Sequence, residues 1–262
     1  MMYFDSHAHY YDERFDEEAP GGADAILGAH LGRDVSHVIN VGTAPETCRY
    51  AIAQAKKYDN MYTALGIHPS DARLLSDMDA ALADVETLIK SSDSKCVALG
   101  EIGLDYHYPD TDKAMQDRFF RSQMELARSL DLPVVIHDRD AHEDVMRVLR
   151  DYSNVRGILH SYSGSVEMAA ELVKRGYYIS FSGTLTFTNA RRPKEVAAAI
   201  PREVMLIETD CPYLAPHPLR GTLNHSGNLA YTCRTLSGIL GISEDECAEL
   251  TAQNAKRIFK IK

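Results

Sequence analysis

The N-terminal stretch Tyr3-Phe4-Asp5-Ser6-His7-Ala8-His9 combines a strand-like run with two histidines at alternate positions. Because successive side chains of a strand point to opposite faces, His7 and His9 project to one side, where two imidazoles can chelate a metal ion. The chain has 11 histidines in 262 residues, so about half of one such pair is expected by chance. The pair therefore indicates a metal site only if further ligands follow other strands.

Seven further short runs of β-branched and apolar residues follow this stretch, separated by longer stretches with helical spacing of apolar residues. This alternation is typical of repeated βα units and a parallel sheet. The predicted strands are 3–6, 37–41, 61–65, 96–100, 134–136, 157–159, 177–181 and 205–208. The main predicted helices are 45–58, 78–90, 112–130, 142–152, 166–175, 193–199, 229–240 and 244–259. Eight strands in 262 residues predict an α/β protein with a TIM-like (β/α)8 barrel, as a single domain over residues 1–262.

Composition narrows the classes of function. The formal net charge of -10 argues against a broad basic surface that grips nucleic acid. A nuclease remains possible, because bound divalent cations can supply the positive charge that holds a phosphate. There is no apolar run long enough to span a membrane and no room for a signal peptide before Tyr3. We therefore expect a cytoplasmic protein with no membrane association and no evident obligate protein partner.

Cysteine usage agrees with that expectation. The five cysteines are odd in number, widely spaced and form no C-x-x-C pair. This pattern favours reduced thiols over a disulfide framework, and it argues against a zinc site built on thiolates.

Polar side chains follow most predicted strands, at the end where barrels of this kind form their active sites. Four histidines and two carboxylates occur in this way after five strands. They are His7, His9, Glu101, His137, His160 and Asp210. Their nitrogen and oxygen atoms suffice to bind two ions such as zinc, manganese or magnesium. The sequence thus predicts a metal site at the C-terminal end of the barrel.

From Asp5 to about Tyr213 the chain resembles the TatD family of metal-dependent hydrolases, relatives of the amidohydrolase barrels. The matching segments are D-S-H-A-H, G-I-H-P, G-E-I-G-L-D-Y, P-V-V-I-H, I-L-H-S-Y-S-G and E-T-D-C-P-Y-L. The resemblance implies a TIM-like barrel in a family whose members are mostly deoxyribonucleases. It also implies that one metal is bound by His7, His9, Glu101 and Asp210, and a second by Glu101, His137 and His160. Glu101 would then bridge the two ions.

The loop after the last strand departs from the family pattern. Where the family carries an R-x-x-N-E-P-type segment, this chain reads Arg220-Gly221-Thr222-Leu223-Asn224-His225-Ser226. Histidine and serine replace the glutamate and proline. The change is compatible with an altered specificity or with a weak nuclease.

Asp210 and Glu101 are the predicted catalytic residues. Two bridged cations would lower the pKa of a shared water and polarise a phosphoryl oxygen, so water would be the nucleophile. Asp210 would accept the proton of that water. Asp5 would either orient an imidazole or serve only packing and hydrogen bonding.

Four further residues are predicted to contact the substrate, namely His68, Arg139, Arg220 and Asn224. Guanidinium groups match phosphate oxygens in a bidentate manner, which favours the two arginines. For His68 the alternative is a structural role in its loop.

Three functions follow from these residues. The first is a deoxyribonuclease that cleaves DNA phosphodiester bonds with a metal-activated water, with exonuclease action on single strands or strand ends as its expected mode. The second is a metal-dependent ester or amide hydrolase of a small metabolite, compatible with the acidic charge and the altered loop. The third is a metal-binding interaction module without turnover, which would leave Asp210 unexplained.

Overall fold

The computed structural model describes residues 1–75, 77–92 and 95–262. It confirms the predicted barrel: eight parallel strands form one sheet in the order β1 to β8, and each strand pairs with the next one along the chain. The strands are β1 Tyr3–Ala8, β2 Val35–Gly42, β3 Met61–Leu65, β4 Cys96–Asp105, β5 Val134–Arg139, β6 Gly157–Leu159, β7 Tyr178–Phe181 and β8 Met205–Ile207.

The ring of strands is closed just beyond the end of β8. The Asp210 N–H donates to the carbonyl oxygen of His7 at 2.9 Å, and the His9 N–H donates to the carbonyl oxygen of Cys211 at 2.8 Å. Ala8 and Cys211 form a parallel bridge between these bonds. The closure therefore brings the two ends of the predicted ligand set together.

Helices occupy the connections between the strands. They are α1 Arg14–Glu18, α2 Gly22–His30, α3 Pro45–Ala55, α4 Pro69–Ala72, α5 Met78–Lys90, α6 Lys113–Leu130, α7 His142–Asp151, α8 Val166–Lys174, α9 Arg191–Ala199, α10 Leu229–Leu240 and α11 Glu244–Ile258. The prediction missed α1 and α4, which are too short for a periodic pattern, and α2, which opens on a glycine pair. Within the described chain, no helix is both long and apolar enough to cross a membrane.

Strand β4 is longer than predicted, because it continues past Gly100 to Asp105. Gly103, with a φ of 142°, permits this extension. A Cβ atom there would collide with the carbonyl oxygen of His137 on β5, so only glycine allows the two backbones to approach this closely. Glu101 consequently lies within β4 and not after it.

The lower part of the barrel interior is filled by apolar side chains. Phe4, Val135 and Leu206 are buried there, and Phe259 at the end of α11 packs against them. The rings of Phe4 and Phe259 stack at 6.3 Å. This packing gives the strand ends on the opposite side a rigid support.

Candidate metal centre

A pocket of about 400 Å³ opens at the C-terminal ends of the strands. Five of the six predicted ligands line it, and the sixth, His7, is fully buried against them. The structure thus brings together residues from β1, β4, β5 and β6 and from the turn after β8, as the sequence pattern indicated.

The first group of donor atoms surrounds the two histidines of β1. His7 Nε2 and His9 Nε2 lie 3.0 Å apart. Glu101 Oε2 is 3.4 Å from His7 Nε2 and 3.6 Å from His9 Nε2. Asp210 Oδ1 is 3.6 Å from the former and 3.3 Å from the latter. Each of the two carboxylate oxygen atoms therefore lies within 3.6 Å of both imidazole nitrogen atoms.

The second group uses the other oxygen of the same glutamate. Glu101 Oε1 is 2.8 Å from His137 Nδ1 and 2.9 Å from His160 Nε2. The two nitrogen atoms are 3.2 Å apart. Glu101 is thus the residue shared by both groups.

These donor sets fit divalent cations. Atoms that bind one zinc ion at roughly 2.0–2.2 Å in a tetrahedron lie about 3.4 Å from one another. The nitrogen–nitrogen and nitrogen–oxygen separations in the first group run from 3.0 to 3.6 Å. Imidazole nitrogen and carboxylate oxygen atoms suit zinc or manganese.

Partners behind the histidines fix the orientation of three of the rings. His9 Nδ1 donates to the carbonyl oxygen of Val41 at 2.7 Å, which leaves the Nε2 lone pair facing the donor cluster. His137 Nε2 lies 3.2 Å from Asp105 Oδ2, and His160 Nδ1 lies 3.3 Å from Glu208 Oε1. Such outer partners are typical of metal-binding histidines.

The electrostatics of the cluster keep its carboxylates ionised. Burial opposes the ionisation of Glu101, yet the charge of the nearby His160 imidazole and a hydrogen bond from His137 hold its pKa well below the usual range. Burial likewise opposes protonation of His160, but the Glu101 and Glu208 carboxylates raise its pKa well above the usual value. A proton and a cation therefore compete for the same nitrogen atoms.

Asp210 lies in a turn that a buried amide holds in place. Asn224 is 1% exposed, and its Nδ2 donates to the carbonyl oxygens of Thr209 at 2.9 Å and Tyr213 at 2.7 Å. Both amide hydrogens are used, so none is left for a ligand. A contact between Asn224 and the substrate stays a prediction, and it would need an acceptor atom or a rearranged amide.

Asp5 does not orient an imidazole. It is fully buried and accepts hydrogen bonds from the hydroxyls of Thr209 at 2.7 Å and Ser226 at 2.6 Å. Burial raises the pKa of Asp5 to about 6, against the opposing effect of those hydrogen bonds. The structural alternative is the one observed, and Ser226 of the altered loop takes part in it.

The other predicted substrate contacts divide into two kinds. His68 lines the pocket, with its Nε2 3.5 Å from Glu101 Oε1. In the described part of the chain Arg139 and Arg220 do not line it; Arg139 is exposed at the end of β5, and Arg220 lies 4.4 Å over the ring of Phe187. Contact of these arginines with a longer substrate stays a prediction.

Several residues of the site were not predicted. The pocket wall includes Tyr11, Asp12, Thr43, Thr47 and Asp71. Asp105 and Glu208, which hold the histidine rings, lie in the G-E-I-G-L-D and E-T-D segments. Their position beside the predicted ligands at strand ends was the available signal.

Comparison with known proteins gives concordant matches. The family model described as TatD related DNase matches residues 4–260. The metal-dependent hydrolase YabD of Bacillus subtilis is 39% identical over 99% of this chain and 100% of its own length, and YcfH of Escherichia coli K12 is 34% identical over 100% and 97%. Both are named uncharacterized. The crystal structure of YJJV, a TatD homolog from Escherichia coli K12, has a TM-score of 0.90 with 29% identity and covers 99% of this chain and 98% of that one.

Proposed function

Since the chain belongs to the TatD family of metal-dependent hydrolases, we propose that it is a deoxyribonuclease that cleaves phosphodiester bonds of DNA using two divalent cations. The observation that carries the proposal is the position of Glu101, whose Oε2 faces His7 and His9 while its Oε1 faces His137 and His160. A carboxylate between two donor groups would hold two cations side by side, as in two-metal hydrolases.

The roles of the ligands follow from the two groups. His7, His9, Glu101 and Asp210 would hold one cation, and Glu101, His137 and His160 would hold the other. Zinc, manganese and magnesium are the candidate metals. When bound, the cations would supply Lewis acidity toward a phosphoryl oxygen and would lower the pKa of water.

Asp210 is the residue proposed to accept the proton of the attacking water. Its carboxylate lines the pocket, and its pKa is lowered although burial opposes this, because His9 hydrogen-bonds to it and neighbouring imidazoles lie close. An ionised carboxylate at the pocket wall can accept a proton from an attacking water.

His68 is proposed to bind the phosphate as a neutral donor. Its Nδ1 accepts a hydrogen bond from the Ser70 N–H at 3.1 Å, so the proton of the ring lies on Nε2, toward the pocket. Burial lowers the pKa of His68 to about 3, which keeps the ring uncharged near neutral pH. The ring can therefore donate to a phosphoryl oxygen without taking up a proton.

The shape and lining of the pocket support single strands or strand ends as the form of DNA bound. The donor atoms are buried at the base of a pocket of about 400 Å³, which a rigid duplex would enter less easily than a strand end. An exonuclease is the mode of cleavage that this supports.

The charge of the pocket rim favours a second candidate, a metal-dependent hydrolase of a small ester or amide. Asp12 and Asp71 line the pocket, and no lysine or arginine does so among the described residues. The phosphates of a polynucleotide would gain little binding free energy from this acidic rim and would depend on their contacts with the metals. A small substrate would need only those contacts with the metals.

The test compares cleavage of end-labelled DNA by the wild type and by Asp210→Asn. We expect the wild type, reloaded with zinc, manganese or magnesium, to degrade a single-stranded oligonucleotide. Asp210→Asn should lower the rate by about 100-fold or more, because it removes the proton acceptor and one metal ligand.

Asp71→Asn is the matched control, since it removes a carboxylate of the same pocket that belongs to neither donor group. It should change the rate by less than about tenfold. Turnover of a small ester with no cleavage of single- or double-stranded DNA under any metal would contradict the deoxyribonuclease proposal and favour the second candidate.

A further inference from the structure

A second cavity lies at the opposite end of the barrel, where β5 and β6 begin. It measures about 280 Å³ and is bounded by the segments that precede these strands and by the C-terminal ends of α6 and α11. Among the described residues that line it, four are cationic and one is acidic, namely Arg128, Arg156, Arg257 and Lys260 against Asp131. Lys260 pairs with Asp131, and Arg128 pairs with Glu125, so the local excess of positive charge comes from Arg156 and Arg257.

Two of the guanidinium groups are fixed by neutral acceptors. Arg156 Nη1 donates to the carbonyl oxygen of Ser153 at 2.6 Å. Arg257 Nη1 donates to the carbonyl oxygen of Glu203 and to Asn254 Oδ1, both at 3.3 Å. Within the described chain neither group forms an ion pair with a carboxylate, so both keep their full charge in a defined place.

Helix ends explain only part of this charge. Arg128 and Arg257 lie in the last turns of α6 and α11, where cations stabilise the helix dipole. Arg156 lies in the loop before β6 and has no such role. Its side chain packs over Gly176, where a Cβ atom would lie 2.5 Å from the Arg156 Cδ.

Apolar residues form the deeper part of the same cavity. Pro133, Val155 and Ile258 are buried in its wall, while the cationic side chains are exposed at its edge. A ligand that suits both parts carries a negative head and a small uncharged body. Guanidinium forks match the oxygens of a phosphate better than those of any neutral group.

We propose that this cavity binds a small organic phosphomonoester, with its phosphate on Arg156 and Arg257 and its uncharged part against Val155 and Ile258. The site is separate from the metal centre, because Pro133 and Arg156 directly precede β5 and β6, whereas His137 and His160 lie at the other ends of these strands. The proposal does not depend on which bond the metal centre cleaves.

The test is a calorimetric titration of the metal-loaded protein with phenyl phosphate at low ionic strength. In the double variant Arg156→Gln/Arg257→Gln, binding at this cavity should be about tenfold weaker or absent, because charge-assisted hydrogen bonds are lost. Binding at the metal centre is common to both proteins and cancels in the comparison. DNA hydrolysis should be unchanged.

Two sets of controls keep the result interpretable. Arg118→Gln/Lys174→Gln removes the same charge from exposed positions elsewhere and should leave binding intact. Asn154→Asp places a carboxylate in the cavity wall and should weaken binding, whereas Asn154→Gln should not.

Equal affinity of the wild type and Arg156→Gln/Arg257→Gln would overturn the proposal. So would an equal loss in the Arg118→Gln/Lys174→Gln control, which would indicate nonspecific attraction. A 5′-phosphorylated oligonucleotide that binds at Arg156 and Arg257 while phenyl phosphate does not would overturn the small-molecule assignment.

Discussion

Asp210 adopts a backbone conformation that a free chain avoids. Its φ of 56° lies in the left-handed region, which costs a residue other than glycine about 1 kcal/mol or more. The Asp210 N–H bonds to His7, and the Tyr213 N–H bonds to the Asp210 carbonyl oxygen at 2.9 Å, which holds the turn. The E-T-D motif predicts a carboxylate at this strand end, but these contacts decide where it points.

His37 on β2 is a histidine that the site does not use. Its ring stacks on Phe4 at 5.1 Å and on Tyr62 at 6.2 Å, and its Nδ1 is buried with no hydrogen-bond partner among the described residues. Burial, with a smaller effect of Lys256, lowers the pKa of His37 from 6.5 to about 4.

This shift predicts a pH dependence of stability. Between pH 6.5 and about 4 the unfolded chain binds the proton at His37 and the native protein does not. Stability is therefore complete above pH 6.5 and falls as the pH drops toward 4, by about 1–3 kcal/mol for a partly exposed ring. His37→Phe should remove this part of the decline while keeping the ring stack.

The measurement is urea unfolding of both proteins at pH 7.5 and pH 4.5. The difference in unfolding free energy between the two pH values should be smaller for His37→Phe than for the wild type. The same difference in both proteins would show that His37 does not titrate in this range.

Among the elements, the loop after β8 shows that a motif does not give the structural role of a residue. The resemblance of Arg220 and Asn224 to a family segment favoured a substrate contact for Asn224. In the fold the segment packs under the Asp210 turn, and the Asn224 amide bonds to the carbonyl oxygens of Thr209 and Tyr213. The residue type was informative, but only the packing of the loop gives the role.

Asn224→Asp tests this role. The new carboxylate would face two carbonyl oxygens in a buried position, so the free energy of unfolding should fall by about 2–4 kcal/mol. Chemical denaturation measures the loss, and Asn189→Asp at an exposed position is the matched control. Unchanged stability with a raised KM would instead indicate a substrate contact.

Strand and helix patterns predicted most other elements, within limits set by their length. All eight strands were found from runs of β-branched and apolar residues, since a buried parallel strand needs such a run. The extension of β4 was missed because it depends on the fit of Gly103 against β5. Helices of four and five residues carry too few side chains for a periodic signal.

At the scale of the whole molecule, the metal centre connects distant parts of the chain. The donor atoms come from β1, β4, β5, β6 and the turn after β8. A cation bound there binds the native state and not the unfolded chain, so it should stabilise the entire barrel.

Metal removal should therefore lower the melting temperature. Relative to a metal concentration about 100 times the Kd, removal should lower the free energy of unfolding by about 2.7 kcal/mol. For a chain of this size, this corresponds to a fall in melting temperature of roughly 5 °C or more. Differential scanning calorimetry before and after chelation, and again after reloading with zinc, measures it. The difference in melting temperature between metal-loaded and metal-free protein should become smaller as the pH falls, because the raised pKa of His137 and His160 lets protons displace the cation.

Glu101→Gln should abolish the rise in melting temperature on metal binding, since it weakens both donor groups. Glu86→Gln is the control, because Glu86 pairs with Lys90 across one turn of α5 and belongs to neither donor group. Identical melting temperatures with and without chelator in the wild type would contradict a metal that links these segments.

The number and order of the strands and the candidate ligands could be predicted from the amino-acid sequence, because they depend on local periodicity and on residue type at strand ends. The sequence did not predict that Glu101 presents one oxygen to each donor group, or that Asp105 and Glu208 hold the histidines. Nor did it predict the hydrogen bonds of Asn224 under the Asp210 turn. Closure of the barrel sets which side chains meet, and contacts between residues far apart in the chain leave no local pattern.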